Sequence, residues 1–159
     1  MSSIHAFRLL KSIYRARRKG LLHLQKADGP VSLKCIGGAC GLCCEILGDG
    51  IKVTGPESSA IPQEGLYHCN QSFFLKSYGS VCVFLKSKSC SIYPNRPRGC
   101  AEYPWYNING ALYFDAGCPG MDKNTDQKPP AESIRDFSYY ISGLPPCIQK
   151  IIRRWILCP

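Results

Sequence analysis

Four cysteines fall within ten residues, in Cys35-Ile-Gly-Gly-Ala-Cys40-Gly-Leu-Cys43-Cys44, and the chain holds 11 cysteines in 159 residues. Cysteine at this density means disulfides or metal, and the redox compartment decides between them. An odd count leaves one thiol unpaired in any full disulfide scheme, and the basic N-terminal stretch contains no uninterrupted apolar run of a secretory signal. Thiolates holding metal in a reducing compartment are therefore expected. Gly37, Gly38 and Gly41 suit that chemistry, because ligating thiolates gather negative charge and need backbone N–H donors close by. Neighbouring Cys43 and Cys44 are expected to reach different metal atoms, or to divide so that one ligates and the other packs.

A second constellation follows, with Cys82, Cys90 and Cys100 in VCVFLKSKSCSIYPNRPRGCAEYPW and Cys118 in AGCPG. The expected ligands are Cys35, Cys40, Cys43, Cys44, Cys82, Cys90, Cys100 and Cys118. Together they suffice for a four-thiolate iron–sulfur cluster plus a zinc, for two separate sites, or for a polynuclear site. Cys69, Cys147 and Cys158 fall outside both groups and read as buried or spare thiols. His5, His23 and His68 read as structural or exposed. Arg96 and Arg98 lie between Cys90 and Cys100, where a fixed cation beside thiolates and an ordinary surface turn are both consistent with the residues. Tyr93, Tyr103, Trp105 and Tyr106 read as an apolar shell around the site.

These residues resemble the zinc- or iron-chelating cysteine-cluster proteins, the YkgJ family, whose motif is C-x2-C-x2-C-C. The likeness rests on CGLCC at 40–44, on CVFLKSKSCSIYPNRPRGCAEYP at 82–104 and on CPG at 118–120, and spans roughly 33–122. The gap Cys35-x4-Cys40 is longer than the family's first spacing. The resemblance implies metal chelation, and Arg96-Pro97 matches the family's motif. Relatives of the domain occur in flagellin lysine methylases, which implies, at one remove, an enzyme related to protein lysine methylation.

The net charge is +9, and ten of the 20 basic residues sit at the two ends. Residues 1–27 hold Arg8, Lys11, Arg15, Arg17, Arg18, Lys19 and Lys26 with no acid, and the last residues add Lys150, Arg153 and Arg154. The N-terminal stretch is patterned as an amphipathic helix, with Ile4, Phe7, Leu10 and Tyr14 on one stripe and Arg8, Lys11, Arg15 and Arg18 on another; Gly20 ends or kinks it. Short strands are expected at Ile51–Thr54, Ser72–Lys76, Val81–Leu85 and Ala111–Phe114, with a helical turn at Glu57–Ile61. Helices are expected from Ala131 to Ser142 and across CIQKIIRRWIL.

The fold class that follows is a small α+β domain, turn-rich and short-stranded, organised around cysteine-ligated metal rather than a large apolar core. One domain is expected over 1–159, with a basic amphipathic helix at 1–30, the cysteine core at 31–122 and a helical segment at 123–159. No Walker loop, dinucleotide fingerprint, Ser-His-Asp arrangement or H-E-x-x-H is present, and no residue is assigned a catalytic role. The expected function is a metal-binding protein holding an iron–sulfur cluster or zinc, the cluster slightly favoured, for electron transfer, metal delivery or protein maturation. The alternative is a structural-zinc module that docks a protein partner or an anionic membrane surface through its basic ends, nucleic acid being the less favoured partner. Location is expected to be cytoplasmic or peripheral to a membrane, or organellar if residues 1–27 act as a transit peptide.

Overall fold

The computed structural model describes residues 11, 13–36, 39–47, 51–69, 71–122, 135–136 and 144–157. Ile4, Phe7, Leu10, Cys158 and most of the expected 131–142 helix lie outside them.

Helix α1 covers residues 13–18 and stops at Gly20, whose φ is +66°. The Gly20 N–H donates to Arg17 O and the Leu21 N–H to Ala16 O, each at 2.9 Å, so a left-handed glycine closes the last carbonyls. The helix buries Ile13 and Ala16, at 1% and 2% exposure, in the main core, while Tyr14 is exposed under the Arg18 guanidinium. The expected stripe through Tyr14 is thus corrected by one position, and the basic face turns outward from a helix packed on its own domain.

The largest sheet has four strands in the order β1 (Leu24–Lys26), β11 (Ala111–Asp115), β10 (Trp105–Ile108), β13 (Arg135–Asp136). Strands β10 and β11 form a hairpin closed by Asn109-Gly110, both at positive φ, a turn whose twist matches the strands it joins. Buried Trp105, Tyr106, Ile108 and Phe114 supply its apolar side chains. Residues 135–136 pair parallel with β10, so the expected helix across 131–142 is interrupted there. The backbone groups of β10's open edge take partners from this segment, and that pairing overrides the helical spacing of its apolar residues.

The thiols belong to the other half. Strand β2 (Ser32–Leu33) pairs with β12 (Met121–Asp122), and α2 (Leu42–Leu47) carries Cys43 and Cys44. Strands β3 (Lys52–Val53), β5 (Ser72–Leu75) and β4 (Leu66–Cys69) form a three-stranded sheet, with α3 (Gly55–Ser58) after β3, earlier than the expected turn at Glu57–Ile61.

The expected strand Val81–Leu85 is instead broken at Val83-Phe84. Hairpin β6–β7 (Ser77–Tyr78, Val81–Cys82) is followed directly by β8–β9 (Leu85–Lys86, Ser89–Cys90). Each Cys ends a two-residue strand and a two-residue turn follows, which is why Cys82 and Cys90 stand eight positions apart.

Helix α4 (Arg98–Ala101) carries Cys100, and α5 (Pro146–Leu157) is the expected C-terminal helix. Ile46, Leu47, Val53 and Leu75 are buried in one apolar cluster with Ile13, Cys44 and Cys82. The thiols therefore line a real apolar core rather than replace one.

Candidate metal centre

Helix α2 begins with the Cys44 N–H on Gly41 O at 2.9 Å, and Gly41 itself has φ +66°. A Cβ there would meet Leu85 Cδ1 at 2.6 Å and Lys88 O at 3.2 Å. Only glycine permits both the left-handed backbone and this approach, which lays the first thiol loop against the β8–β9 hairpin. Cys43 and Cys44 thereby come to Cys82 and Cys90. The thiols of Cys43, Cys82 and Cys90 are the neighbours that act on Cys44 most strongly. Of the adjacent pair, Cys44 is buried and Cys43 half-buried.

The neighbouring thiols of Cys43, Cys82 and Cys90, and then burial, raise Cys44 far above the ordinary thiol range. Cys44 in turn lowers Cys43 and Cys82 against the opposing cost of burial. Cys90 falls to about 6, chiefly through Cys44, helped by the Ile92 N–H and Arg96 after burial has opposed it. Cys82 and Cys90 each accept the N–H two residues on, from Phe84 and Ile92, and Cys118 accepts that of Gly120. Amides aimed at sulfur in this way favour the thiolate form that binds metal. Among the described residues no three or more Cys, His, Asp or Glu are spaced as a finished metal-ligand sphere.

Cys118 is positioned by a separate strand pairing. The β2–β12 pairing brings the ends of the core together, and the Lys34 N–H donates to Gly120 O at 2.9 Å. A Cβ on Gly120 would meet Lys34 O at 2.6 Å, so close approach of two backbones seats Cys118 beside the start of the first loop. Cys118 is pushed up to about 11, first by burial and then by the charges of Cys40, Asp115 and Cys35, against the opposing Gly120 N–H. Cys100 sits on α4, whose first N–H, that of Arg98, donates to Glu57 Oε1 at 2.7 Å. It packs on the same apolar cluster as Cys43, Cys90 and Cys118.

The two arginines separate. The Arg96 guanidinium lies 4.1 Å from the Tyr93 ring centroid, its Nη1 is 4.0 Å from Cys35 Sγ, and its charge lowers Cys43 and Cys90. Arg98 instead pairs with Glu102 at 3.2 Å. Arg96 is the fixed cation and Arg98 the surface residue.

Asp115 is a residue that spacing did not single out. It is fully buried, and its carboxylate accepts the Tyr103 hydroxyl at 2.7 Å and the N–H groups of His23 and Gly117 at 2.9 and 3.0 Å. It shapes the turn before Cys118 and ties that turn to residue 23. The signal for it was Asp two positions before glycine, a short acceptor folding back on its own turn.

The family model CxxCxxCC, described as "Putative zinc- or iron-chelating domain", matches residues 34–119. The chain belongs to the CxxCxxCC family. All eight expected ligands fall inside the CxxCxxCC stretch, as does Cys69, which ends β4 opposite Ser72. Cys147, exposed on α5, lies outside it, as does Cys158. No curated protein and no solved structure matches the chain. The donor set fits the CxxCxxCC description, since four soft sulfurs with amide support suit zinc or iron.

Proposed function

We propose that the chain binds a single zinc or iron ion through Cys43, Cys44, Cys82 and Cys90, and uses it in metal delivery or protein maturation in a reducing compartment. The observation that carries this reading is the Gly41–Leu85 approach, which lays α2, with Cys43 and Cys44, against the successive hairpins that end in Cys82 and Cys90. Four soft sulfurs on neighbouring segments match the ligand number of one tetrahedral ion. The ion would supply cross-linking of three segments, α2, β7 and β9, and iron in the same place would add one-electron chemistry. Protein purified without oxygen and subjected to elemental analysis tests the reading: stoichiometric metal without acid-labile sulfide supports it, and stoichiometric sulfide counts against the single ion.

The docking alternative finds support in α5, where Ile148 and Ile151 are exposed beside exposed Lys150 and Arg154. Apolar and basic side chains on one surface suit an anionic bilayer, and among the described residues no helix is long and apolar enough to cross one. Salt-sensitive cosedimentation with anionic vesicles, lost on changing Ile151 to Glu, is the outcome this second reading requires.

A further inference from the structure

Helix α1 and the β6–β7 hairpin meet over a surface that metal binding does not use. Arg15 Nη1 donates to Gly79 O and Lys19 Nζ to Ser80 Oγ, each at 3.2 Å, so the basic helix is fastened to the tip of the hairpin. Tyr78 stands beside that tip, 82% exposed, and Tyr14 precedes Arg15, 47% exposed. We propose that these two tyrosines and the cations around them bind single-stranded nucleic acid, with bases stacked on the rings and phosphates held by Lys11, Arg15, Arg18 and Lys19.

Helical geometry assembles this face. Lys11, Tyr14, Arg15 and Arg18 recur at intervals of three and four, so they share one side of the helix, opposite the buried Ile13 and Ala16. The Arg18 guanidinium lies 5.9 Å from the Tyr14 ring centroid, which puts a planar cation next to an exposed ring. Lys19 continues the charge toward the hairpin that presents Tyr78.

Charge and aromatic content select the partner. Residues 1–27 contain no acid, and neither does the stretch 65–101 that includes the hairpin, so both segments carry positive charge only. Such a surface attracts a polyanion. It differs from a bilayer-binding face, because among the described residues the exposed large aliphatics, Ile36, Ile148 and Ile151, belong to other segments, whereas this one exposes tyrosine. Every base has a π-face, so rings interleaved with cations hold an unpaired strand with little regard to its sequence. A duplex, whose bases are already stacked on one another, offers them less. No residue of this face is a ligand of the proposed ion, so strand binding and metal binding are separately testable.

Fluorescence anisotropy of a labelled oligouridine of about 12 nucleotides, within the usual site sizes for unpaired strands, tests the proposal on the full chain purified without oxygen. Binding is expected at low salt. The logarithm of the affinity should fall against the logarithm of salt concentration with a slope of about −3, the value for four phosphate contacts on a single strand. Tyr14→Ala and Tyr78→Ala should each weaken binding by about 10-fold, whereas Tyr78→Phe, which keeps the ring, should bind as the native chain does. Because Tyr78 is exposed, Tyr78→Ala should unfold at the native temperature, so its lost affinity reads contact rather than fold. Oligothymidine of equal length, compared directly, tells RNA from single-stranded DNA as the strand, and binding of either supports the proposal. No binding at low salt, binding unchanged in both alanine variants, or stronger competition by duplex DNA or phosphatidylserine vesicles at equal phosphate concentration overturns it. The four-thiol reading survives each of those results.

Discussion

The α carbon of Gly41 faces Leu85 so closely that a methyl group on it would lie 2.6 Å from Leu85 Cδ1, and this one approach brings the CGLCC loop onto the hairpin that ends in Cys90. Gly41→Ala combines that clash with a left-handed backbone, φ +66°. It should destabilise the chain by about 2 kcal/mol and weaken metal retention, as strain plus overpacking generally does. Gly79, at φ +64° with open space around it, is the control. Gly79→Ala should cost roughly half as much, the backbone strain alone, and leave metal retention unchanged. Thermal unfolding and bound-metal analysis of both variants check the pair.

The ligand thiols should separate from the bystanders. Serine at Cys43, Cys44, Cys82 or Cys90 should abolish tight metal binding, because one missing sulfur leaves the sphere open. Serine at Cys69 or Cys147 should leave metal content unchanged. Equal losses in the two sets, measured by elemental analysis, would show the ligands misassigned.

Thiol acidity gives the metal-free chain a distinctive pH dependence. Cys90 is lowered from 9.0 to about 6, so its contribution to stability is complete above 9 and is lost as pH falls through 6. Cys118 is raised from 9.0 to about 11, so its contribution is complete below 9 and is lost as pH rises through 11. Alkylation of the reduced, metal-free chain at pH 7.5, read by peptide mass spectrometry, should therefore modify Cys90 well before Cys118. The reverse order contradicts the influence of Cys44, the Ile92 N–H and Arg96 on Cys90.

The N-terminal stretch is built into the domain. Ile13 is 1% exposed, and Leu24–Lys26 pairs with β11, next to the turn that carries Cys118. Ile13→Ala should cost about 3 kcal/mol, the usual range for emptying a buried aliphatic site. Deleting residues 1–27 should lower the thermal transition and loosen bound metal, because it removes a strand and the His23 N–H donated to Asp115. A deletion that unfolds like the full chain would return the basic helix to a purely external role.

What was legible in the sequence was chemistry carried by residue type and spacing. The thiol clusters, β5, β11 and α5 could be read because turn residues and apolar periods are local. Which segments meet around the thiols could not. It depends on Gly41 meeting Leu85 and on Gly120 meeting Lys34, contacts between segments more than 40 residues apart. The break in Val81–Leu85 was hidden because apolar residues flank a turn that serves the Cys82 sulfur rather than the ladder. Asp115 was hidden because a carboxylate's burial is visible only once Tyr103, His23 and Gly117 surround it.

The central claim is that four thiols close on one ion. Cobalt titration of the reduced, metal-free chain under anaerobic conditions tests it most directly, because tetrahedral four-thiolate cobalt has an intense visible spectrum and sulfur-to-metal charge-transfer bands. The account predicts that this signature saturates at one tightly bound equivalent, is abolished in Cys44→Ser, and is accompanied by release of protons. A spectrum of octahedral, oxygen-bound cobalt, or a four-thiolate spectrum that survives in Cys44→Ser, would contradict it.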